Sequence, residues 1–366
     1  ISLNNMSDAN ELISFIASMS GEGNLRVEEN LGEGYVRLRV SEAERRQAKH
    51  DIQHVEDIVI EMLRNARDAG ADKVYLATTK EDGVRTLVFL DNGSGVPQDM
   101  QERIFDARVT SKLESMKMDR WGVHGRGMAL FSIKQNADEA RVVASDVDLG
   151  SVFKVSVATD RLGERADQSS WPQAVKDEDG HYVCARGPHN IIRAACEFAL
   201  EELRACDVYL GSPSEIAATL HAQASSRLDA SRLLFIDDEA ELPVVDRLGL
   251  ASDAEDFIRI CSGLGLEMSE RTAHRILAGQ IKPVRGVTAR LLRERDSSSH
   301  ASAPVDLAKD RRGLRIAKDD MAQFSRAVER DFNDLASRYY LNLCGDPKIR
   351  VSRDRITVTF DLAKEE

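Results

Sequence analysis

Between residues 52 and 66 apolar side chains recur at every third or fourth position: Ile52, Val55, Ile58, Val59, Met62, Leu63 and Ala66. This spacing predicts a helix with one buried stripe within the segment from Ser41 to Gly70. The glycine of "DAGAD" stands just past the last periodic residue, where a helix stop belongs. The period then changes. VYLAT (74–78) and TLVFL (86–90) flank Lys80-Glu81-Asp82-Gly83 and predict two strands joined by a turn. A polar stretch from Val109 to Arg120 leads to a glycine-rich turn and the apolar helix MALFSIKQNA, and the strands ARVVAS (140–145) and SVFKVSVAT (151–159) close the region. Helix, strand, strand, loop, helix, strand, strand predicts a two-layer α/β sandwich in place of repeated βαβ crossovers.

Farther on the pattern weakens. Residues 161–187 are polar and broken by Pro172, Gly180 and Gly187, which reads as a connection. A helix from about Asn190 to Leu203, a strand at VYLG (208–211), helices near 250–263, 269–278 and 320–341, and a terminal hairpin in KIRVSRDRITVTFDL follow. The expected organisation is a first domain at 1–165, a connecting segment at 166–190, and a region of mixed helices and strands at 191–366.

Composition narrows the class. A chain of 366 residues with 42% hydrophobic and 31% charged residues is neither disordered, collagenous nor a coiled-coil fibre, and its length suits two domains. Aromatics at 5% imply an aliphatic core and few platforms for stacked bases. Five scattered cysteines, none in a close pair, read as reduced thiols. No apolar run approaches the roughly 20 residues that span a bilayer, and the first residues lack the order of a signal peptide. Cytoplasm, with no membrane partner, is the expectation. The net charge of -12 argues against a basic coat, yet residues 271–318 hold 12 Lys or Arg against 4 Asp or Glu. That segment reads equally as a nucleic-acid surface, its cations neutralising phosphate, or as a solvated face paired with acids elsewhere.

Three clusters carry candidate chemistry. Glu61 and Asn65 lie four apart on the first helix, hence on one face. A carboxylate beside an amide oxygen can orient a water and complete the shell of Mg²⁺; alone, the pair is also an ordinary solvated face. Asp91 follows an apolar strand and precedes Gly93 and Gly95, so a carboxylate that can accept from an amino group sits beside backbone able to approach a flat ring. Alone, it is also a good turn. Gly122-x-x-Gly125-x-Gly127 opens a helix, where amide groups and the helix's positive end can wrap phosphates. The dinucleotide fingerprint and the GxxxxGK[ST] loop are both missing.

In this order and spacing, "EMLRNARDAGA", "FLDNGSGVP", "TSK" and "GVHGRGMALFSI" resemble the GHKL ATPase superfamily, which includes gyrase B, MutL, the topoisomerase VI B subunit, the ninety-kilodalton heat-shock chaperones and sensor histidine kinases. The resemblance covers roughly residues 50–160 and implies the Bergerat ATP-binding fold, with ATP and Mg²⁺ as ligands. Glu61 then matches the general base for water and Asn65 the Mg²⁺ ligand. Asp91 matches the residue that reads the adenine amino group, with Gly93 and Gly95 shaping that wall. Thr110, Ser111 and Lys112 match a segment near the base of the ATP lid, itself about 99–120. Gly122, His124, Gly125, Arg126, Gly127 and Met128 match the turn that closes over the phosphates, although Arg126 reads equally as a solvent-facing side chain.

Glutamate at 61, where kinases of the family carry asparagine, implies hydrolysis. The motif style resembles MutL and topoisomerase VI B, which implies ATP-gated dimerisation and a conformational switch, with double-stranded DNA as the expected partner through residues 271–318. Such relatives carry a transducer lysine at the γ-phosphate, for which Lys282 and Lys348 are the candidates. The rival readings are a chaperone-like ATPase acting on protein, and a regulatory module that senses nucleotide without turnover.

Overall fold

The computed structural model describes residues 27–111, 118–119, 121–123, 127–228 and 238–292, together with shorter stretches between 321 and 364. The chain divides into two compact units, residues 1–296 and 297–366.

In the first unit, strands β1 (Val27–Gly32) and β2 (Tyr35–Leu38) form a hairpin. Helix α1 (Glu42–Asp51) follows, started by a reciprocal cap between Ser41 and Glu44, then helix α2 (Val55–Asp68). The single helical segment expected from the periodicity is therefore two helices. The break comes from Asp57, whose Oδ2 accepts from the amides of Gln53 and His54 at 2.8 and 2.9 Å, a contact that a continuous helix forbids.

Strands β3 (Lys73–Glu81) and β4 (Val84–Asp91) pair antiparallel along their length. A short strand β5 (Val109–Thr110) joins β2, and β6 (Met118–Asp119) pairs with β7 (Gly122–Val123). Helix α3 (Ala129–Asn136) leads to β8 (Glu139–Ser145) and β9 (Ser151–Ala158). The stretch read as a connection contains a hairpin, β10 (Gln173–Lys176) with β11 (Tyr182–Arg186), and ends in helix α4 (Ile191–Glu201). Strand β12 (Asp207–Gly211) then lies parallel to β3, so the central sheet has the order β12-β3-β4-β9-β8. The sheet thus draws on residues beyond position 165.

Alternation along β3, β4 and β9 gives this sheet two apolar faces. Val74, Leu76, Leu87, Phe89, Phe153 and Val155 pack against α2 and α4, which is the α/β sandwich expected from the element order. Tyr75, Ala77, Val88, Leu90 and Val152 face the other way. They are covered by helices α5 (Pro213–Arg227), α6 (Ala254–Gly263) and α7 (Glu270–Leu277). The second half of the chain therefore adds a further helical layer behind the sandwich.

In the second unit β13 (Leu341–Leu343) pairs with β16 (Leu362–Lys364), and β14 (Lys348–Val351) forms a hairpin with β15 (Ile356–Thr359). Among the described residues no helix is long and apolar enough to cross a membrane.

Candidate functional site

The apolar stripe of α2 faces the sheet, burying Val55, Ile58, Val59, Met62, Leu63 and Ala66. A helix anchored by that stripe presents positions 61, 65 and 68 on another side, and these border a cavity of about 520 Å³. Glu61, Asn65, Asp91, Gly95, Thr110, Gly127 and Met128 all line it. Thus residues from the three sequence clusters meet at one site, although 67 positions separate the first of them from the last.

The floor is the end of β4. Asp91 is buried, and its Oδ1 accepts from the Gly93 amide at 2.8 Å. Gly93 lies just behind; a β-carbon there would stand 2.8 Å from the Ala69 carbonyl oxygen. Gly95 has φ +71°, and its β-carbon would fall 1.8 Å from the Asp146 carbonyl oxygen, so only glycine fits. Ser145 locks this loop to the β8–β9 turn: its Oγ accepts from the Val96 amide and donates to the Gly150 carbonyl, both at 2.8 Å. Ser151, opposite Asp91 in the β4–β9 register, lines the cavity with Ser94, Val96, Ile104 and Phe153. These five were not singled out from sequence, although the alternation of β9 marks Ser151 and Phe153 as sharing a face.

The opposite end is made by β5 and the start of α3. Gly127 has φ +68° and packs against the Val109 carbonyl, while its own carbonyl accepts from the Arg108 amide at 2.8 Å. Met128, Ala129 and Leu130 put the first turn of α3 on the cavity, and its amides give that wall a positive end. Tyr35, Glu44, Gln47 and Asp51 bring β2 and α1 to the rim, and Arg108 pairs with Glu44. Burial pushes the Tyr35 hydroxyl up, against a lowering hydrogen bond with Ser111.

Beneath Glu61 lies an ion network of side chains mostly removed from water. Arg64 donates from NH1 to Glu61 Oε1 at 2.7 Å, and from Nε and NH2 to the two oxygens of Asp119 at 2.9 and 3.0 Å. Arg67 donates to Asp119 at 3.0 Å, to Asp68 at 2.9 Å and to Glu202 at 3.1 Å. The Trp121 amide also donates to Asp119, at 3.0 Å, and its ring stacks on Phe198 of α4. Burial alone would push the Asp119 carboxyl up; the Arg67 hydrogen bond, the Arg64 charge and the Trp121 amide outweigh it and hold it below the usual carboxylate range. Neither Arg64, Arg67 nor Asp119 was a sequence candidate. Asp119 sits 55 and 52 positions from its two arginines, and no local pattern signals such pairing.

Gly122 lies in β7. Lys112, His124, Gly125 and Arg126 lie outside the described residues. Lys282 is exposed on the segment after α7. Lys348 lies on β14 of the second unit, paired with Asp361 at 2.5 Å. Of the basic segment, Arg271, Arg275, Lys282, Arg285 and Arg290 are described and exposed, Arg290 lying 3.8 Å over the Trp171 ring.

Comparison with known proteins bears on this site. Residues 52–147 match the family of histidine kinase-, DNA gyrase B- and HSP90-like ATPases. The chain is similar to the DNA mismatch repair protein MutL of Pediococcus pentosaceus, with 31% identity over 115 residues, covering 31% of this chain and 17% of that protein. The MutL of Thermodesulfovibrio yellowstonii is 33% identical over 98 residues, covering 26% and 18%. That of Staphylococcus aureus is 34% identical over 122 residues, covering 33% and 16%. The match spans less than a fifth of the length of these relatives.

Proposed function

We propose that this chain, in which residues 52–147 form a GHKL-type ATPase domain similar to that of the MutL proteins, hydrolyses ATP with Mg²⁺ and uses the nucleotide to switch conformation or dimerise on DNA. The observation that carries the reading is the single cavity joining Glu61, Asn65, Asp91, Gly95, Thr110 and Gly127. Its volume suits a small ligand. Its two ends differ as the two ends of ATP do: a buried carboxylate among apolar side chains at one, a glycine turn and a helix start at the other.

Asp91 accepts from the adenine amino group and the close backbone at Gly93 and Gly95 admits the flat ring. The turn at Gly127 and the first amides of α3 bind phosphate oxygens. Glu61 takes the proton of the water that attacks the γ-phosphate in line. Asn65 is the side chain that holds Mg²⁺. Its amide oxygen is a hard donor one helical turn from a carboxylate, which fits a hard cation. When bound, that cation neutralises charge on the phosphates. Thr110, Ser111, Lys112, His124, Gly125, Arg126 and Met128 are the remaining contacts of the phosphate end, and Gly122 shapes the turn that leads to it.

The discriminating experiment compares ATP turnover by the wild type and Glu61→Ala, with and without duplex DNA, alongside ATP affinity. Loss of turnover with retained affinity supports the hydrolase. A wild type that binds ATP but never turns it over, even with DNA, overturns it. Charge reversal at Arg285, Arg290 and Arg293 is expected to abolish DNA binding; binding unchanged by the reversal removes this segment from the reading, and a wild type that binds no DNA leaves a protein partner.

A further inference from the structure

The carboxylate assigned as general base is held by an arginine that is itself held by a second carboxylate. Arg64 NH1 reaches Glu61 Oε1 at 2.7 Å, while Nε and NH2 grip Asp119 in a two-pronged pair at 2.9 and 3.0 Å. The Arg64 and Asp119 side chains are 3% and 5% exposed. Such a pair has fixed geometry, because both partners are planar and each prong constrains the other. Asp119 is fixed in turn by Arg67 and the Trp121 amide. The line Asp119–Arg64–Glu61 thus runs from β6 to the cavity through contacts of definite direction.

We propose that Asp119 is a positioning residue for Glu61, acting through Arg64. With the guanidinium locked by Asp119, its NH1 can meet Glu61 from one direction only, and this fixes the carboxylate's rotamer relative to the cavity. A general base depends on such placement: an error near 1 Å can cost about a hundredfold in rate. Neutral asparagine at 119 removes half of the lock without deleting the base, leaving Arg64 buried beside Glu61 with a weaker partner.

The inference rests on the reading of Glu61 as base, and its test separates the two. Asp119→Asn, Asp119→Glu, Arg64→Gln and Glu61→Gln are each measured for ATP turnover from pH 5 to 9, for ATP affinity by calorimetry, and for folding by circular dichroism. Asp119→Asn is expected to lower kcat about tenfold to a hundredfold with ATP affinity unchanged. Arg64→Gln is expected to lower kcat as well, with ATP affinity again unchanged, because Glu61 then loses the partner that fixes its rotamer. Asp119→Glu, which keeps the charge, should recover part of kcat, and Arg64→Gln decides the matter if the asparagine variant does not fold. Wild-type kcat in folded Asp119→Asn, or in folded Arg64→Gln when the former is unfolded, together with loss of turnover in Glu61→Gln, overturns the positioning role alone. Undiminished turnover in Glu61→Gln overturns the assignment of the base, and the positioning role with it.

Discussion

Gly150 meets Asp91 backbone to backbone: a β-carbon at position 150, where φ is +77°, would stand 2.1 Å from the Asp91 carbonyl oxygen. The β8–β9 turn therefore presses on the strand end that carries the buried carboxylate. Gly95 is in the same position relative to Asp146. Gly95→Ala and Gly150→Ala are each expected to destabilise the first unit by more than about 1 kcal/mol, from backbone strain before any clash is counted. Urea unfolding measures this. Alanine at Gly180, which also has positive φ but nothing within 4 Å, should show only the conformational part.

Asp91→Ala removes the acceptor at the floor of the cavity. A hydrogen bond to a charged group contributes about 1.5–3 kcal/mol, so ATP affinity should fall at least about tenfold. GTP, which lacks the amino group at that ring position, should lose little. Calorimetric titration with both nucleotides tests the contrast, and equal losses would remove Asp91 from base reading.

Trp121 lines the cavity and stacks on Phe198 with ring centroids 6.4 Å apart. The chain has only one other tryptophan, Trp171. In Trp171→Phe, Trp121 becomes the sole indole reporter, and its emission is expected to change on ATP addition with the calorimetric dissociation constant. A flat titration would place the nucleotide away from this wall.

The helical layer behind the sheet makes a prediction about boundaries. Cutting the chain after residue 165 removes β12, α5, α6 and α7 and bares Tyr75, Val88, Leu90 and Val152. Each large apolar side chain so exposed forfeits about 1.5–3 kcal/mol, and the four together, about 6–12 kcal/mol, are comparable to the whole stability of an ordinary domain. Fragment 1–165 should aggregate or melt without cooperativity, and fragment 1–296 should melt sharply. Scanning calorimetry of both decides.

Acid should loosen the first unit in a definite window. The carboxyls of Asp119 and Glu164 titrate below their ordinary values of 3.8 and 4.5. In both, burial acts to raise the value. Hydrogen bonds and charges from Arg64 and Arg67 on Asp119, and from Arg85 and Lys80 on Glu164, outweigh it. Because the folded values are depressed, their stabilisation is complete above the unfolded values and disappears as pH falls through the folded ones. Unfolding midpoints in urea should be flat from pH 7 to about 5 and decline below 4.5. Glu164→Gln should be less stable at pH 7 and flatter in acid.

How much of this was legible in sequence follows from which contacts are local. Helix α2 buries one stripe, and strands β3, β4 and β9 are short apolar runs buried on both faces, so all four are written in the apolar residues. The break between α1 and α2 was hidden because Ile52 and Val55 keep the helical spacing across it; the interruption is made by the polar side chain of Asp57. Strand β1 was invisible for the opposite reason, with Glu28, Glu29 and Asn30 all exposed. Helix α5 is rich in alanine and serine and has little contrast between faces, although Ser212 and Glu215 form a capping pair that could have marked its start. At the site, Glu61 and Asn65 were readable because four residues make one helical turn. Asp119 was not, because its arginines reach it only through the fold.

The buried Arg64–Asp119 pair and the exposed cations Arg271, Arg275, Lys282 and Arg285 answer to different variables. Dissolved ions screen exposed charges over about 8 Å at physiological ionic strength and reach buried pairs far less. Raising potassium chloride should therefore weaken attraction of the outer surface for a polyanion while leaving the orientation of Glu61 intact. One chain thus holds two electrostatic systems, one tuned by the medium and one sealed from it.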